Sequence, residues 1–204
     1  MVNNINNIDR FYTKNVVDFS FSYFDYLKKI FDNMNLNSIN SLVQTLLVAR
    51  ENGSNIFFIG NGGSASTASH FANDLAIGTN QYKKPFRALS LTDNLSVITA
   101  IANDYGYEEV FTRQLMVLAN KDDVVVGISA SGNSKNLLSA FEYAKKNQIK
   151  TFSITAFDGG ALKLIADEYI HIPTEKGEYG PAEDIHMILD HLIGAYLLRA
   201  TRDD

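Results

Sequence analysis

The chain has 204 residues, 46% of them hydrophobic, which is enough for one sizeable core but short for two independent ones. Its 23 acidic residues outnumber its 18 basic ones, and the formal charge of −5 predicts no nucleic-acid partner. Cysteine is absent, so disulfides are excluded and a metal site would have to use histidine, carboxylate or amide ligands.

Nothing in the sequence points to a membrane. No apolar run approaches the roughly 20 residues of a membrane-spanning helix. The first residues, MVNNINNIDRFYTKN, lack the basic and apolar regions of a signal peptide. We therefore expect a single cytoplasmic domain over residues 1–204, with no membrane partner.

Two helices are predicted ahead of the first strand, as an N-terminal helical extension at about 17–53. The first has apolar residues at spacings of three and four, which is a helical stripe. This stripe consists of Phe21, Phe24, Leu27, Ile30 and Phe31. The second helix is predicted to begin after Ser38, a candidate N-cap, and to end near Gly53.

Short apolar segments then alternate with helical ones. The predicted strands, nearly continuously apolar as buried parallel strands are, cover 55–60, 85–91, 123–130, 150–157 and 168–173. The predicted helices cover 64–77, 95–103, 108–120, 135–147, 161–166 and 181–199. The alternation predicts the α/β class, with a three-layer α/β/α sandwich around a mostly parallel five-stranded sheet.

A glycine-rich loop, GNGGSAS, follows the first predicted strand. Gly60, Gly62 and Gly63 allow a tight turn, and Ser64 opens a helix whose free N–H groups suit an anion. The glycine spacing also fits a relaxed dinucleotide fingerprint, but Asp93 comes too late to serve as its acidic residue. No Gly-Lys-Ser/Thr follows, which excludes the P-loop of nucleotide triphosphatases.

A second loop of this kind, ISASGNS at 128–134, follows the third predicted strand. It offers hydroxyl and backbone donors for phosphate oxygens from Ser129, Ser131, Gly132, Asn133 and Ser134. Either loop alone is open to a purely structural interpretation as a capped turn. Two serine-rich copies in one sheet favour a phosphate site.

Histidines and carboxylates gather on two predicted helices. His70 and Asp74 are four residues apart and project from one helix face. The last helix, otherwise apolar, carries Glu183, Asp184, His186, Asp190 and His191. One His/Asp pair alone favours a contact on the helix surface over a metal site, but the second cluster changes this and favours a metal site, with zinc ahead of iron, manganese or nickel. The fourth histidine, His171, is interpreted as a structural strand residue.

Three segments give the chain a family resemblance. GNGGSASTASHFANDL (60–75), SLTDNLSVITAIANDYGYEEVFTRQL (90–115) and GISASGNSKNLLSAFEYAK (127–145) resemble SIS (sugar isomerase) domain proteins, and the middle segment narrows the resemblance to phosphoheptose isomerases. Those enzymes convert sedoheptulose 7-phosphate to D-glycero-D-manno-heptose 7-phosphate, the first step of nucleotide-activated heptose biosynthesis for lipopolysaccharide, capsule or other glycans. The similarity runs from about residue 20 to 198.

The resemblance implies an aldose-ketose isomerase that acts through an enediolate, with Asp74 as base and His191 as acid. It implies a divalent metal, usually zinc, held by His70, Asp74, Glu183 and His191. With the two loops, it implies substrate binding by Asn61, Gly62, Gly63, Ser64, Asp93, Ser129, Ser131, Ser134 and Glu183. It also implies a homotetramer with a sugar-phosphate substrate and sites between subunits.

Two positions depart from the common family pattern. Glutamate is usual at the position of Asp74. The side chain of the base is therefore shorter here by one methylene group, about 1.5 Å, and a misplacement of roughly 1 Å can slow a reaction on the order of 100-fold. Glutamine is usual at the position of Glu183, and Asp184 is an alternative ligand to it. Two other functions stay open: a non-catalytic SIS platform for a protein partner, as in the replication-initiator-associating relatives, and an isomerase of another sugar phosphate.

Overall fold

The computed structural model describes residues 8–202, and its centre is a five-stranded sheet in the order β2-β1-β3-β4-β5. The strands are β1 (Asn55–Gly60), β2 (Arg87–Ser90), β3 (Val124–Ser129), β4 (Lys150–Thr155) and β5 (Glu168–His171). Every neighbouring pair is parallel. The predicted fold class is confirmed, and all five strands lie within the predicted segments.

Helices cover both faces of the sheet. They are α1 (Val16–Asp32), α2 (Leu36–Asn52), α3 (Gly63–Asn73), α4 (Leu95–Tyr105), α5 (Thr112–Leu118), α6 (Lys135–Lys146), α7 (Gly160–Ile165) and α8 (Tyr179–Ala200). Alternate side chains of β1 point to opposite faces. Ile56 and Phe58 pack in one core with α2, α3 and α8, whereas Phe57 and Ile59 pack in the other with α5, α6 and α7. This explains why the strands read as continuously apolar.

The start of α2 differs from the prediction. Asn35, not Ser38, is the N-cap, because its backbone is extended and its side chain accepts a hydrogen bond from the N–H of Asn37. Ser38 lies inside the first turn and donates its hydroxyl to the carbonyl oxygen of Asn35. The predicted end is confirmed, since Gly53 is a left-handed C-cap at φ 66°.

Two helices predicted as continuous are interrupted. The segment predicted as 64–77 is an α-helix only to Asn73 and continues as a π-helical turn, Asp74–Gly78. The segment predicted as 108–120 consists of a short 3₁₀ turn, Tyr107–Glu109, followed by α5. Periodicity alone does not distinguish these variants, because each keeps the apolar face of the segment on the core.

The N-terminal extension forms the two predicted helices, but most of the apolar stripe on α1 does not reach the core of this chain. Ile30 is buried, whereas Phe21 and Phe24 are 71% and 66% exposed. Within residues 8–202 no helix has the length and apolar character that crossing a membrane would require. Residues 1–7 and 203–204 of the predicted domain lie outside the described part of the chain.

Candidate active site

The two glycine- and serine-rich loops lie side by side in space. β1 and β3 are neighbours, with Gly60 opposite Ile128, so both strands end at the same edge of the sheet. A Cβ atom on Gly60 would lie 2.5 Å from the carbonyl oxygen of Ser64, so the turn into α3 needs glycine there. The first loop therefore brings the N-terminus of α3 close over the end of its strand, where the dipole favours an anion.

The second loop is organised by its own hydroxyl groups. The N–H of Gly132 donates to the hydroxyl of Ser129 at 3.1 Å, and the N–H of Asn133 donates to that of Ser131 at 3.3 Å. Gly132 has φ 61°, and a Cβ on it would collide with the carbonyl oxygen of Gly159. Ser134 is the N-cap residue of α6, and its hydroxyl makes no capping hydrogen bond within that helix. The predicted phosphate-binding serines thus line two adjacent helix N-termini.

An asparagine pair joins the two loops. Asn61 and Asn136 exchange two amide hydrogen bonds, both at 2.9 Å, and Asn136 is buried. The hydroxyl of Tyr107 donates to the same side-chain oxygen of Asn61 at 2.7 Å. Sequence reasoning singled out Asn61 but missed Asn136 and Tyr107. The available signal for Tyr107 was its place in the NDYGYEEVF segment.

Asp93 lies just beyond β2 and is tied to α3. It accepts hydrogen bonds from the hydroxyls of Ser69 and Thr92, and these two hydroxyls are 2.9 Å apart. Ser69 precedes His70 in α3, so this polar network connects the end of β2 to the helix that carries the predicted metal ligands.

Four potential ligands come together between α3 and α8. One ligand atom from each of His70, Asp74, Asp190 and His191 lies within 4.8 Å of the others. The two histidine Nε2 atoms are 3.3 Å apart, and His70 Nε2 is 3.6 Å from Asp74 Oδ1. Asp74 opens the π-helical turn and packs against α8, where a Cβ on Gly194 would lie 3.6 Å from that of Asp74. Two imidazoles and two carboxylates are a donor set that suits zinc.

Asp190 differs from the other three because it is fully buried. Within residues 8–202 neither of its carboxylate oxygens has a hydrogen-bond partner. Burial, and then the negative charge of Asp74, raises the pKa of Asp190 to about 7. His186, one turn earlier on α8, is also buried, and this burial lowers its pKa to about 4. The sequence placed both residues on this helix but assigned neither to the site.

Glu183 is not a member of this group. Its carboxylate lies against Gly63 at the start of α3, where a Cβ would come within 2.7 Å of Oε1. Burial, and then the charge of Asp184, raises the pKa of Glu183. Asp184, the alternative ligand, turns instead towards α1 and accepts a hydrogen bond from Tyr23 at 2.5 Å. His171 lies half-buried in β5, where burial lowers its pKa.

Comparison with known proteins agrees with this geometry. The family model described as SIS domain matches residues 22–156. A phosphoheptose isomerase of Helicobacter pylori (strain P12) is 45% identical over 159 residues, which cover 76% of this chain and 78% of the relative. The chain belongs to the phosphoheptose isomerase family. The predicted family and its enzyme class, sugar-phosphate isomerase, are thereby confirmed.

Solved phosphoheptose isomerases share the whole fold. The structure from Francisella tularensis is 28% identical with a TM-score of 0.80, and the match covers 91% of this chain and 99% of that one. The structure from Neisseria gonorrhoeae is 27% identical with a TM-score of 0.81, covering 90% and 98%. Both matches thus cover nine-tenths or more of this chain and nearly all of each solved chain.

Proposed function

We propose that the chain isomerises D-sedoheptulose 7-phosphate to D-glycero-D-manno-heptose 7-phosphate. The observation that carries the proposal is that the first loop, His70 and Asp74 lie along α3 and its π-helical continuation, while the second loop lies beside the first. His70 lies about 10 Å along α3 from the residue that opens it. A phosphorylated sugar bound at the loops would reach the cluster with its other end.

The loops would hold the phosphate of the ring-opened ketose. Backbone N–H groups at Gly62 and Gly63 and the hydroxyls of the predicted serines suit this role. These serines are Ser64, Ser129, Ser131 and Ser134. Asn61, Asp93 and Glu183 lie near the same strand ends and would bind sugar hydroxyls. Charge-assisted hydrogen bonds to phosphate are strong enough to fix the position of the sugar carbons.

Proton transfers at the other end would complete the reaction. Asp74 would remove a proton from C1 of the ketose, leaving an enediolate. A proton would then return at C2, and the proton on the oxygen of C1 would move to that of C2, which leaves an aldehyde at C1. His191, whose Nε2 lies 3.3 Å from that of His70, would move these protons, because the ring nitrogens of an imidazole can both donate and accept a proton.

The same cluster fits a divalent metal, for which zinc is our first choice. His70, Asp74 and His191 would hold it, since their ligand atoms already converge. A bound ion would polarise the carbonyl and so lower the cost of developing negative charge.

We also propose that the chain is cytoplasmic, that it forms a homotetramer and that its product enters a heptose pathway. The exposed side chains of Phe21 and Phe24 support the assembly, because exposed apolar patches mark surfaces that bind other proteins.

Proton NMR of sedoheptulose 7-phosphate incubated with zinc-loaded protein tests the proposal. We expect aldose anomeric signals to appear with the wild-type chain. His191→Ala should abolish them while leaving the size of the oligomer unchanged, and a fully active His191→Ala variant would contradict the role of this residue. Hexose and aminosugar phosphates in parallel samples test the other substrates. No turnover of any of them with metal bound would favour the platform function.

A further inference from the structure

Asp190 is the one member of the α3–α8 cluster to which the family resemblance gives no role. Its neighbours on α8, Leu189 and Ile193, are buried core residues. Its carboxylate is itself fully buried and has no hydrogen-bond partner among the described residues, although a ligand atom lies within 4.8 Å of those of His70, Asp74 and His191. An ionised carboxylate in this position is costly unless a positive charge compensates it.

Among residues 8–202, no lysine or arginine forms a hydrogen bond or ion pair with the carboxylate of Asp190. The potential ligand atoms gathered with that of Asp190 belong to another carboxylate, Asp74, and to two imidazoles, His70 and His191. A divalent cation would satisfy all four at once, because two neutral imidazoles and two carboxylates balance its charge. A site with Glu183 in place of Asp190 would have the same formal charge but would leave Asp190 buried and unpaired next to Asp74.

We propose that Asp190 is a direct ligand of the divalent cation and completes a His70, Asp74, Asp190 and His191 site in place of Glu183. The inference rests on the proposed function only in taking the α3–α8 cluster to be a divalent-metal site. Consecutive residues on a helix point about 100° apart, yet Asp190 and His191 both bring a ligand atom to the same point. Glu183 lies seven residues earlier, about 10 Å along α8, against Gly63.

The test compares Asp190→Asn with Glu183→Gln, two isosteric changes that each remove one negative charge from α8. Zinc affinity of the metal-free full chain is measured by competition with a chromogenic chelator, and the absorption of bound Co²⁺ reports the coordination. Loss of a group that only supports a ligand costs about 10–100-fold in metal affinity. Asp190→Asn should therefore weaken zinc binding by at least this factor and change the spectrum of bound Co²⁺. Glu183→Gln should leave the zinc affinity and the Co²⁺ spectrum close to those of the wild type.

His70→Ala serves as the control that must lose zinc binding. Unfolding of the metal-free variants checks the fold, and Asp190→Asn should leave the unfolding midpoint unchanged or raise it because a neutral amide replaces a buried carboxylate. Wild-type zinc affinity in Asp190→Asn, or a loss confined to Glu183→Gln, would overturn the inference. Turnover of sedoheptulose 7-phosphate is scored separately. A zinc-bound wild-type chain without turnover would contradict the proposed function and leave the ligand assignment standing.

Discussion

Gly60→Ala tests whether the first loop binds phosphate through its close turn. The added methyl group would lie 2.5 Å from the carbonyl oxygen of Ser64 and 2.7 Å from its carbonyl carbon, both backbone atoms. Relief to an ordinary contact of roughly 3.4 Å requires the start of α3 to move by about 0.9 Å. Displacements of about 1 Å can cost on the order of 100-fold in rate, and overpacking of this kind costs about 1–3 kcal/mol in stability.

Competitive inhibition by inorganic phosphate measures the effect without relying on the chemical step. Gly60→Ala should weaken this inhibition by about 10-fold or more, the equivalent of one charge-assisted hydrogen bond, and raise KM for the sugar phosphate. Gly53→Ala is the matched control. Its Cβ meets nothing within 4 Å, but φ of 66° makes it strained, so it should lose about 1–2 kcal/mol of stability with phosphate inhibition unchanged. A folded Gly60→Ala protein with wild-type inhibition would refute the reasoning.

Three further changes probe other parts of the site. Ser131→Ala should raise KM for the phosphorylated sugar more than it lowers kcat. Unchanged kinetics would argue against phosphate binding by the second loop. Asn61→Ala should destabilise the fold by about 1–3 kcal/mol in urea unfolding, since the buried amide of Asn136 loses both of its bonds to Asn61; equal stability would show that the pair is not needed.

The third substitution, His186→Leu, tests how the stability of the fold depends on pH. His186 has a pKa lowered to about 4 by burial, so the unfolded chain binds its proton first as the pH falls. Its contribution to stability is complete above about pH 6.5 and is lost as the pH falls towards 4, by up to about 3 kcal/mol. His186→Leu should flatten this part of the stability curve, and an unaltered pH dependence would contradict the assignment.

The sheet and both loops were predictable because local sequence determines them. Apolar runs of four to eight residues bounded by glycine specify buried strands, and β1 with Gly60 to Ser64 is such a case. Parallel pairing then brings the ends of β1 and β3 together. The identity of the α2 cap was not predictable in this way, since Asn35 and Ser38 are both capping residue types and the choice depends on backbone conformation.

The assembly of the cluster depends on tertiary packing. Spacing put His70 and Asp74 on one face, but it did not indicate that Asp190 would be buried beside them or that Glu183 would turn to Gly63. The π-helical turn at Asp74–Gly78 is likewise invisible to periodicity. The buried partner of Asn61 comes from a different βα unit 75 residues away, and one sequence contains no signal for such a pairing.

Proton NMR of the reaction in D₂O tests the central claim, that this site isomerises a heptose phosphate by proton transfer. The account predicts aldose product with solvent deuterium at C2, visible as an anomeric signal without coupling to a proton on C2. Absence of the aldose would contradict the proposed activity. Aldose with its C2 proton fully retained from C1 would contradict the predicted exchange with solvent at the enediolate stage, and full retention is the result expected of a direct hydride shift.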